Sequence, residues 1–329
     1  MTAWPTPEMV TTNGVRVGVY RMGPEVSVAA KPPIFFLHGF PEIAYSWRAQ
    51  MTAFADAGHP VFAPDQRGYG VSDAPEGVAE YTMQKLTDDL KGLLDHYGIE
   101  RAVFVGHDWG AIILWSLPFY MPERLLGCAG LNVPLLPHYP MDPIEMFRAR
   151  FGDDMYIVRF QEEGSCEPIL ERDLMLTFQF FLRKPNKGKA KKSDVPFEEK
   201  SLNLLTLLER GPDRWGGEQL LSDEETAVYA KAYEKNGFTG PLHWYRNFTS
   251  NWKDQRRFLV DGRLPKLTLP CLMITAELDR ACPPTLAESM AGMCEDYTRV
   301  DLEGCGHWSQ QERASEVNAA IMSWLEKVG

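Results

Sequence analysis

Three side chains of this sequence have the chemical types and the order of a hydrolytic triad. Asp108 is the central residue of GHDWG (106–110), Asp279 follows the apolar run CLMITAEL, and His307 lies within GCGHWSQ. GHDWG fits the G-x-nucleophile-x-G elbow, in which a sharp turn between a strand and a helix exposes the central side chain. An acid at the end of a later strand can orient a histidine as the base. The order and spacing therefore predict an Asp–His–Asp triad.

The carboxylate at the elbow indicates which kind of atom is attacked. A serine would form an acyl-enzyme from an ester or amide, whereas a carboxylate can displace a leaving group from a saturated carbon and form an alkyl ester. Water activated by His307 would then attack the carbonyl carbon of that ester. The oxyanion needs backbone donors, and we expect Phe40 N–H, in the turn of FFLHGFPE, and Trp109 N–H. This chemistry requires no metal ion and no organic cofactor, so we expect neither.

Strained epoxides and alkyl halides are the two common substrates of this kind, and they need different help at the leaving atom. An epoxide leaves as an alkoxide and needs an acidic O–H donor, whereas a halide needs only N–H donors. Phe40 follows His38-Gly39, and its side chain has no donor that could hold a halide. The sequence therefore favours an epoxide as the small-molecule partner. The large aromatic residues of the middle third indicate an apolar or aromatic epoxide of modest size.

Five segments carry a resemblance to a known family. HGFPE, DQRGYGVSD, GHDWG, AELD and GCGHW, in this order, resemble the epoxide hydrolases of the α/β-hydrolase fold over nearly the full chain. The resemblance implies two tyrosines that hold the epoxide oxygen from an inserted helical cap. PLHWYRNF is similar to the family's second tyrosine segment and implies Tyr245. MYIVRFQEEG is similar to the first and implies Tyr156, with Tyr139 as the nearby alternative.

Other functions use parts of the same pattern. Haloalkane dehalogenases are similar in the triad but usually have Asn or a second Trp in place of Phe40. Fluoroacetate dehalogenases share HGFP, but they have arginines where this chain has Trp109 and Ile112. A small-molecule receptor without activity would typically lack a triad member, and a serine esterase would need GxSxG at the elbow. Haloalkane dehalogenation is the main alternative.

Alternating strand and helix patterns must position these residues. The apolar runs PPIFFLHG, HPVFAPD, RAVFVGHD and LLGCAGLNVP alternate with helix-period segments such as YTMQKLTDDLKGLLDHYG. This alternation predicts an α/β fold with a mostly parallel central sheet and helices on both faces. MVTTNGVRVGVYRM predicts a β-hairpin with an Asn-Gly turn. We also expect Asp65 and Arg67, at the end of the second run, to pair with each other.

The middle of the chain has helical periodicity and no strand-like runs. We predict an all-helical cap over residues 136–250, inserted into an α/β-hydrolase core of residues 1–135 and 251–329. Such an insertion would lie over the carboxyl ends of the strands, where ligands bind in sheets of this type. Within the cap, residues 183–192 contain six basic side chains, and we expect a solvated loop there.

Composition limits the class of protein. The chain has 329 residues, 44% of them hydrophobic, and a formal net charge of −11. The negative charge argues against a nucleic-acid partner, and polar residues interrupt every long apolar run, so we expect no membrane span. The six cysteines form no CxxC pair, and the start of the sequence has no signal-peptide pattern. We therefore expect free thiols and a cytoplasmic protein. The oligomeric state stays open, a homodimer included.

Overall fold

A computed structural model of the chain describes residues 4–185 and 202–328. A single eight-stranded sheet forms its centre, with the strand order β1-β2-β4-β3-β5-β6-β9-β10. Strands β3, β4, β5, β6, β9 and β10 run parallel, and β2 is antiparallel to both β1 and β4. These eight strands are β1 (Glu8–Thr12), β2 (Val15–Met22), β3 (Ile34–Leu37), β4 (Val61–Asp65), β5 (Ala102–His107), β6 (Leu125–Leu131), β9 (Cys271–Ala276) and β10 (Tyr297–Leu302). The predicted α/β class, parallel sheet and N-terminal hairpin are confirmed.

Helices cover both faces of this sheet. In the described residues the α-helices are α1 (Arg48–Asp56), α2 (Met83–His96), α3 (Trp109–Tyr120), α4 (Pro143–Phe151), α5 (Tyr156–Arg159), α6 (Glu167–Leu170), α7 (Leu174–Phe181), α8 (Leu204–Glu209), α9 (Asp223–Tyr233), α10 (Thr239–Arg246), α11 (Phe248–Gln255), α12 (Met290–Met293), α13 (Ser309–Glu312) and α14 (Ala314–Val328). Short 3-10 turns occupy Val26–Val28, Ala44–Trp47, Val78–Tyr81, Pro122–Arg124, Pro212–Arg214, Arg256–Phe258 and Pro284–Ser289. None of the helices in the described ranges is long and apolar enough to cross a bilayer.

The strands are buried on both sides because they are apolar at consecutive positions. In β3, Phe35 and Leu37 enter a core cluster with α2 and α3, whereas Ile34 and Phe36 enter a second cluster with α1 and α14. Alternate side chains of a strand point to opposite faces, so an unbroken apolar run is what a sheet covered by helices requires. In β5 the same alternation places Phe104 in the first cluster and Val103 and Val105 in the second.

The chain reverses its direction of travel across the sheet between β3 and β5. From β3 it moves outward to β4, and it then returns to the other side of β3 to form β5. At such a switch point the turns after the two neighbouring strands leave in opposite directions and open a crevice at the carboxyl ends of the strands. Phe40 and Asp108 lie in those two turns. The topology therefore brings the expected oxyanion donor and the expected nucleophile to one edge.

The segment predicted as an all-helical cap, residues 136–250, needs one correction. Besides helices α4 to α10 it contains a two-stranded antiparallel ribbon of β7 (Arg183–Lys184) and β8 (Glu218–Gln219). Strands of two residues carry too little periodicity to be recognised in a sequence. The predicted boundary at 250/251 falls inside α11, and the domain limits stay a prediction. Most of the basic stretch 183–192 lies outside the described residues, which resume at 202.

The expected pairing of Asp65 with Arg67 is wrong. Arg67 makes a two-pronged ion pair with Asp89 of α2, at 2.6 and 2.7 Å. The Asp65 carboxylate instead accepts hydrogen bonds from the backbone N–H groups of Ala44 and Val71. Asp65 is the last residue of β4 and Arg67 lies in the turn beyond it, where the alternation of the strand no longer fixes the direction of a side chain. The arginine is buried, and its charge is therefore paired through the nearest buried carboxylate.

Gly110, in the first turn of α3, allows the elbow to pack against β3. A methyl group at this position would overlap the backbone carbonyl groups of Leu37 and His38, which cannot move without displacing the strand. We expect Gly110→Ala to destabilise the protein by about 1 to 3 kcal/mol. Gly292→Ala is the matched control, because a methyl group there meets open space within a helix. Its effect should be neutral or stabilising by up to about 1 kcal/mol.

Urea denaturation of the two variants beside the wild type measures both effects. Equal free energies of unfolding for the two variants would contradict the role assigned to the close approach at Gly110.

Candidate active site

Asp108 stands on a sharp turn between β5 and α3. Its φ of 52° and ψ of −119° are strained for a residue with a side chain. The turn is held by Ala111 N–H and Ile112 N–H, which donate to the Asp108 carbonyl at 2.9 and 3.1 Å. This geometry turns the side chain away from both the strand and the helix. Asp108 therefore faces the crevice at the carboxyl end of the sheet, and 15% of its side chain is exposed.

Hydrogen-bond donors surround the Asp108 carboxylate. Phe40 N–H donates to Oδ1 at 2.8 Å, and the backbone N–H of Trp109 also bonds the carboxylate. His307 Nε2 lies 3.7 Å from Oδ2. Burial raises the pKa of Asp108 above its ordinary value, although His307, His107 and the two N–H groups oppose this effect. The two backbone donors predicted from the sequence thus lie against the predicted carboxylate.

His307 and Asp279 form a close pair beside Asp108. His307 Nδ1–H donates to Asp279 Oδ2 at 2.7 Å, which leaves Nε2 directed at Asp108. Burial alone would lower the pKa of His307, but Asp279 and then Asp108 outweigh it and raise the pKa to about 9. Burial would raise the pKa of Asp279, but His307 and several hydrogen bonds lower it to about 2. The pair therefore has its charges arranged to hold the imidazole in one orientation.

Asp279 is fixed by its own turn and by a residue that the sequence did not indicate. The N–H groups of Ala281 and Cys282 donate to Oδ1 at 2.9 and 3.0 Å. Asn132, just after β6, donates from Nδ2 to Oδ2 at 2.8 Å and accepts from Ser309 Oγ at 2.6 Å. Asn132 has a positive φ of 64°, which Asn tolerates better than most residues. The position of an Asn after a strand was the only available signal.

A second buried pair, His107 and Glu42, lies beside Asp108. His107, the last residue of β5, donates from Nε2–H to the His307 carbonyl at 2.7 Å, and its Nδ1 lies 2.8 Å from Glu42 Oε2. Both side chains are fully buried. Gln310 and Gln311 donate to the other oxygen of Glu42 at 2.8 and 3.0 Å. The pair therefore joins the turns after β3, β5 and β10, a role that sequence reasoning did not assign to His107.

Tyr156 and Tyr245 converge above Asp108 from α5 and α10. Their ring centroids are 6.0 Å apart. Burial raises the pKa of each hydroxyl well above the ordinary value, and the Asp108 charge adds to this effect in both. For Tyr139 burial also raises the pKa, with a smaller addition from Cys282 and none from Asp108. The charge of Asp108 thus acts on the hydroxyl of Tyr156 and not on that of Tyr139.

Aromatic side chains form the surroundings of this site. The Phe40 ring packs edge-on against Tyr245 and Phe160, with centroids 5.2 and 5.7 Å apart. The Trp109 ring packs against Tyr245 and Phe248 at 5.1 and 5.0 Å. Charges and hydrogen bonds are stronger where such apolar groups reduce access of water. The arrangement combines a carboxylate, an imidazole and two tyrosine hydroxyls in an apolar environment.

The site also contains a group of potential metal ligands. Donor atoms of Asp279, Cys282 and His307 lie within 4.8 Å of one another. The Asp279 carboxylate already accepts from His307, Asn132 and two backbone N–H groups. Burial raises the pKa of the Cys282 thiol well above its ordinary value, which favours the protonated form over the thiolate that binds metals. The donor set therefore fits an oriented Asp–His pair better than a metal centre.

The chain is similar to known proteins over most of its length. A family model described as alpha/beta hydrolase fold matches residues 32–314. The chain is 40% identical to epoxide hydrolase A of Mycobacterium tuberculosis, over 98% of this chain and 97% of that protein. It is 35% identical to the bifunctional epoxide hydrolase 2 of Rattus norvegicus, of which it spans 57%. The crystal structure of epoxide hydrolase A from Mycobacterium thermoresistibile superposes with a TM-score of 0.85 and 37% identity, covering 98% of both chains.

The fold and the elbow are thus those of an α/β hydrolase. Within that class, the similarity to several epoxide hydrolases extends over essentially the whole chain. The protein belongs to the epoxide hydrolase family of the α/β-hydrolase fold.

The raised pKa of His307 makes the stability of the folded protein depend on pH. On folding, the pKa of His307 rises from its ordinary 6.5 to about 9. The contribution of the protonated imidazole to stability is therefore fully present below pH 6.5, and it is lost as the pH rises through 9. Between pH 6.5 and 9 we expect the free energy of unfolding to fall more in the wild type than in His307→Gln. The difference should be on the order of 1 to 3 kcal/mol. Urea denaturation at several pH values measures the difference. Parallel curves for the two proteins would contradict the charge arrangement described here.

Proposed function

We propose that this protein hydrolyses an apolar or aromatic epoxide to a vicinal diol through an ester on Asp108. The observation that carries the proposal is the position of the Asp108 carboxylate, between two backbone N–H donors and two tyrosine rings. The family membership supports the same reaction. We further propose a cytoplasmic location, which the free thiols of all six cysteines support.

In the first step, Asp108 Oδ2 attacks one carbon of the epoxide ring and the C–O bond to that carbon breaks. The electron pair goes to the epoxide oxygen, which takes a proton from Tyr156 or Tyr245. Their raised pKa values keep both hydroxyls protonated and able to donate at neutral pH. Asp108 needs no base for this step, because His307 and the N–H donors favour its anionic form. The product is an alkyl ester whose carbonyl oxygen is Oδ1.

In the second step, His307 Nε2 takes a proton from water, which attacks the carbonyl carbon of the ester. Phe40 N–H and Trp109 N–H stabilise the oxyanion that forms on Oδ1. The intermediate collapses to the carboxylate; the proton on His307 goes to the departing diol oxygen, and the other water proton restores the tyrosine. Ester formation removes the charge of Asp108 and with it one cause of the raised pKa of His307. Covalent attachment thus prepares the histidine to act as a base.

Haloalkane dehalogenation is the second candidate, since the triad alone would serve both reactions. The side chain of Phe40 has no hydrogen-bond donor for a halide, and its ring packs on Tyr245. The Trp109 ring likewise packs on Tyr245. Hydroxyl donors therefore dominate the position where the leaving atom forms, which favours an alkoxide over a halide.

A substrate panel tests the proposed activity. We expect diol formation from terminal, styrene-type or internal epoxides and no halide release from 1-chlorobutane or 1,2-dibromoethane. Asp108→Asn should lack activity toward every compound, because an amide is a poor nucleophile. Halide release at rates equal to or above diol formation would assign the protein to the alternative activity.

The two tyrosines should share the epoxide oxygen. We expect Tyr156→Phe and Tyr245→Phe each to slow alkylation roughly 100-fold, and the double variant to abolish it, because one acid can partly replace the other. Tyr139→Phe is the matched control and should change alkylation less than about twofold. Single-turnover kinetics with excess enzyme measure the step directly. If Tyr139→Phe stopped alkylation and Tyr156→Phe did not, the roles of these two residues would have to be exchanged.

A further inference from the structure

A second concavity lies on the outside of the molecule, between the N-terminal hairpin and helix α9. Its volume is about 450 Å³, within the roughly 300 to 1,000 Å³ typical of small-molecule sites. Asp108, His307, Tyr156 and Tyr245 do not line it. The buried rings of Tyr69 and Tyr233, with centroids 6.2 Å apart, pack between the core and α9. We call this concavity the hairpin cleft.

One wall of the hairpin cleft is aromatic. Trp4 packs against Tyr20 with ring centroids 4.9 Å apart, and its other contact is edge-on with Tyr45 at 5.4 Å. Val71 and Val228, two of the few large apolar side chains that are exposed in the described residues, also line the cleft. Exposed apolar groups gathered around a concavity are typical of a binding surface. The cleft therefore suits the apolar body of a ligand.

The opposite wall is one stripe of α9 and the turn after it. Val228, Lys231 and Ala232 follow the spacing i, i+3, i+4 and share one face of α9, and Lys235 lines the cleft from the turn after the helix. Both lysines are exposed, and neither forms an ion pair with any of residues 4–185 or 202–328. Lys235 interacts with the carboxylate of Asp73, but that carboxylate is already paired with Arg16 at 2.9 Å, so the two ammonium groups favour an anion in the cleft.

Asp65, the acidic residue in the floor of the hairpin cleft, does not prevent binding of an anion. Asp65 accepts from Ala44 N–H at 2.9 Å and from Val71 N–H at 3.1 Å, and it also bonds the Tyr20 hydroxyl. It is buried, and its oxygen atoms are used by the chain itself. Asp65 therefore does not compete with a ligand for the two ammonium groups.

We propose that the hairpin cleft binds an anionic amphiphile, a carboxylate joined to an aromatic or acyl body. The body lies against Trp4 and Tyr20, and the carboxylate lies between Lys231 and Lys235. Such a ligand would bridge α9 to the core beside two existing links, the Ser46–Tyr229 hydrogen bond at 3.0 Å and the Arg48–Glu225 ion pair at 2.7 Å. Binding therefore stabilises the contact between cap and core, and it is independent of the proposed epoxide chemistry.

Binding of decanoate tests the proposal, with decanol and decyltrimethylammonium as probes of equal chain length. We expect decanoate to bind the wild type and raise its melting temperature, with decanol and the cation at least tenfold weaker. The double variant Lys231→Glu/Lys235→Glu should lose about tenfold or more in decanoate affinity while it retains the hydrolytic activity of the wild type. Lys91→Glu/Lys253→Glu, two exposed lysines elsewhere, makes the same change in net charge and should leave the affinity unchanged.

Calorimetric titration gives the affinities, and the hydrolysis rate of each variant shows that it is folded. The proposal is overturned if the wild type does not bind decanoate, if decanol binds equally well, or if the two double variants lose affinity equally. Competitive inhibition of hydrolysis by decanoate that the cleft variant does not relieve would place the ligand in the active site instead and would also overturn the proposal.

Discussion

The close approach of two strand ends is the constraint on which the site depends. A carboxylate buried beside the sheet is costly unless donors compensate its charge. Phe40 N–H compensates Asp108 at 2.8 Å, and it can do so only because the backbone after β3 packs directly on the elbow after β5. Gly39 and Gly110 permit that contact, since a methyl group on either would overlap neighbouring backbone or the Asp108 side chain. The donors belong to the rigid sheet and therefore need no rearrangement when charge moves during a reaction.

From this contact outward, the charged side chains around Asp108 are held by groups from other strand ends. Asp279 after β9 orients His307 after β10, and Asn132 after β6 fixes Asp279. Glu42 and His107 connect the turn after β3 to the backbone of His307. Helices α5 and α10 add what the sheet does not contain, namely the hydroxyl groups of Tyr156 and Tyr245. Trp244, next to Tyr245, donates to the Arg67 carbonyl at 3.2 Å and packs edge-on against Tyr69, so α10 is tied to the turn after β4 beside Tyr245.

The sequence was informative where a residue's role follows from its immediate neighbours along the chain. Asp108 and Asp279 each follow a short apolar run and His307 follows β10, and parallel strands bring their carboxyl ends together. Roles that depend on pairs far apart in the chain were not predictable. Arg67 pairs with Asp89 and not with Asp65, and His107 meets Glu42 from another strand end, because each partner comes from an element that is distant in the sequence. The ribbon of β7 and β8 was missed because two residues show no periodicity. Tyr156 was preferred over Tyr139 by resemblance, and the field of Asp108 at its hydroxyl gives that preference a physical reason.

In the proposed mechanism, Asp108 attacks the epoxide before His307 is needed. Intact-protein mass spectrometry of His307→Gln mixed with an epoxide that the wild type hydrolyses tests it most directly. We expect His307→Gln to consume about one equivalent of epoxide and to gain the mass of one substrate, located on the peptide that contains Asp108. Asp108→Asn/His307→Gln, treated in the same way, should keep its unmodified mass. If His307→Gln consumes no epoxide and remains unmodified, the histidine acts before any covalent step, and the ester mechanism is contradicted.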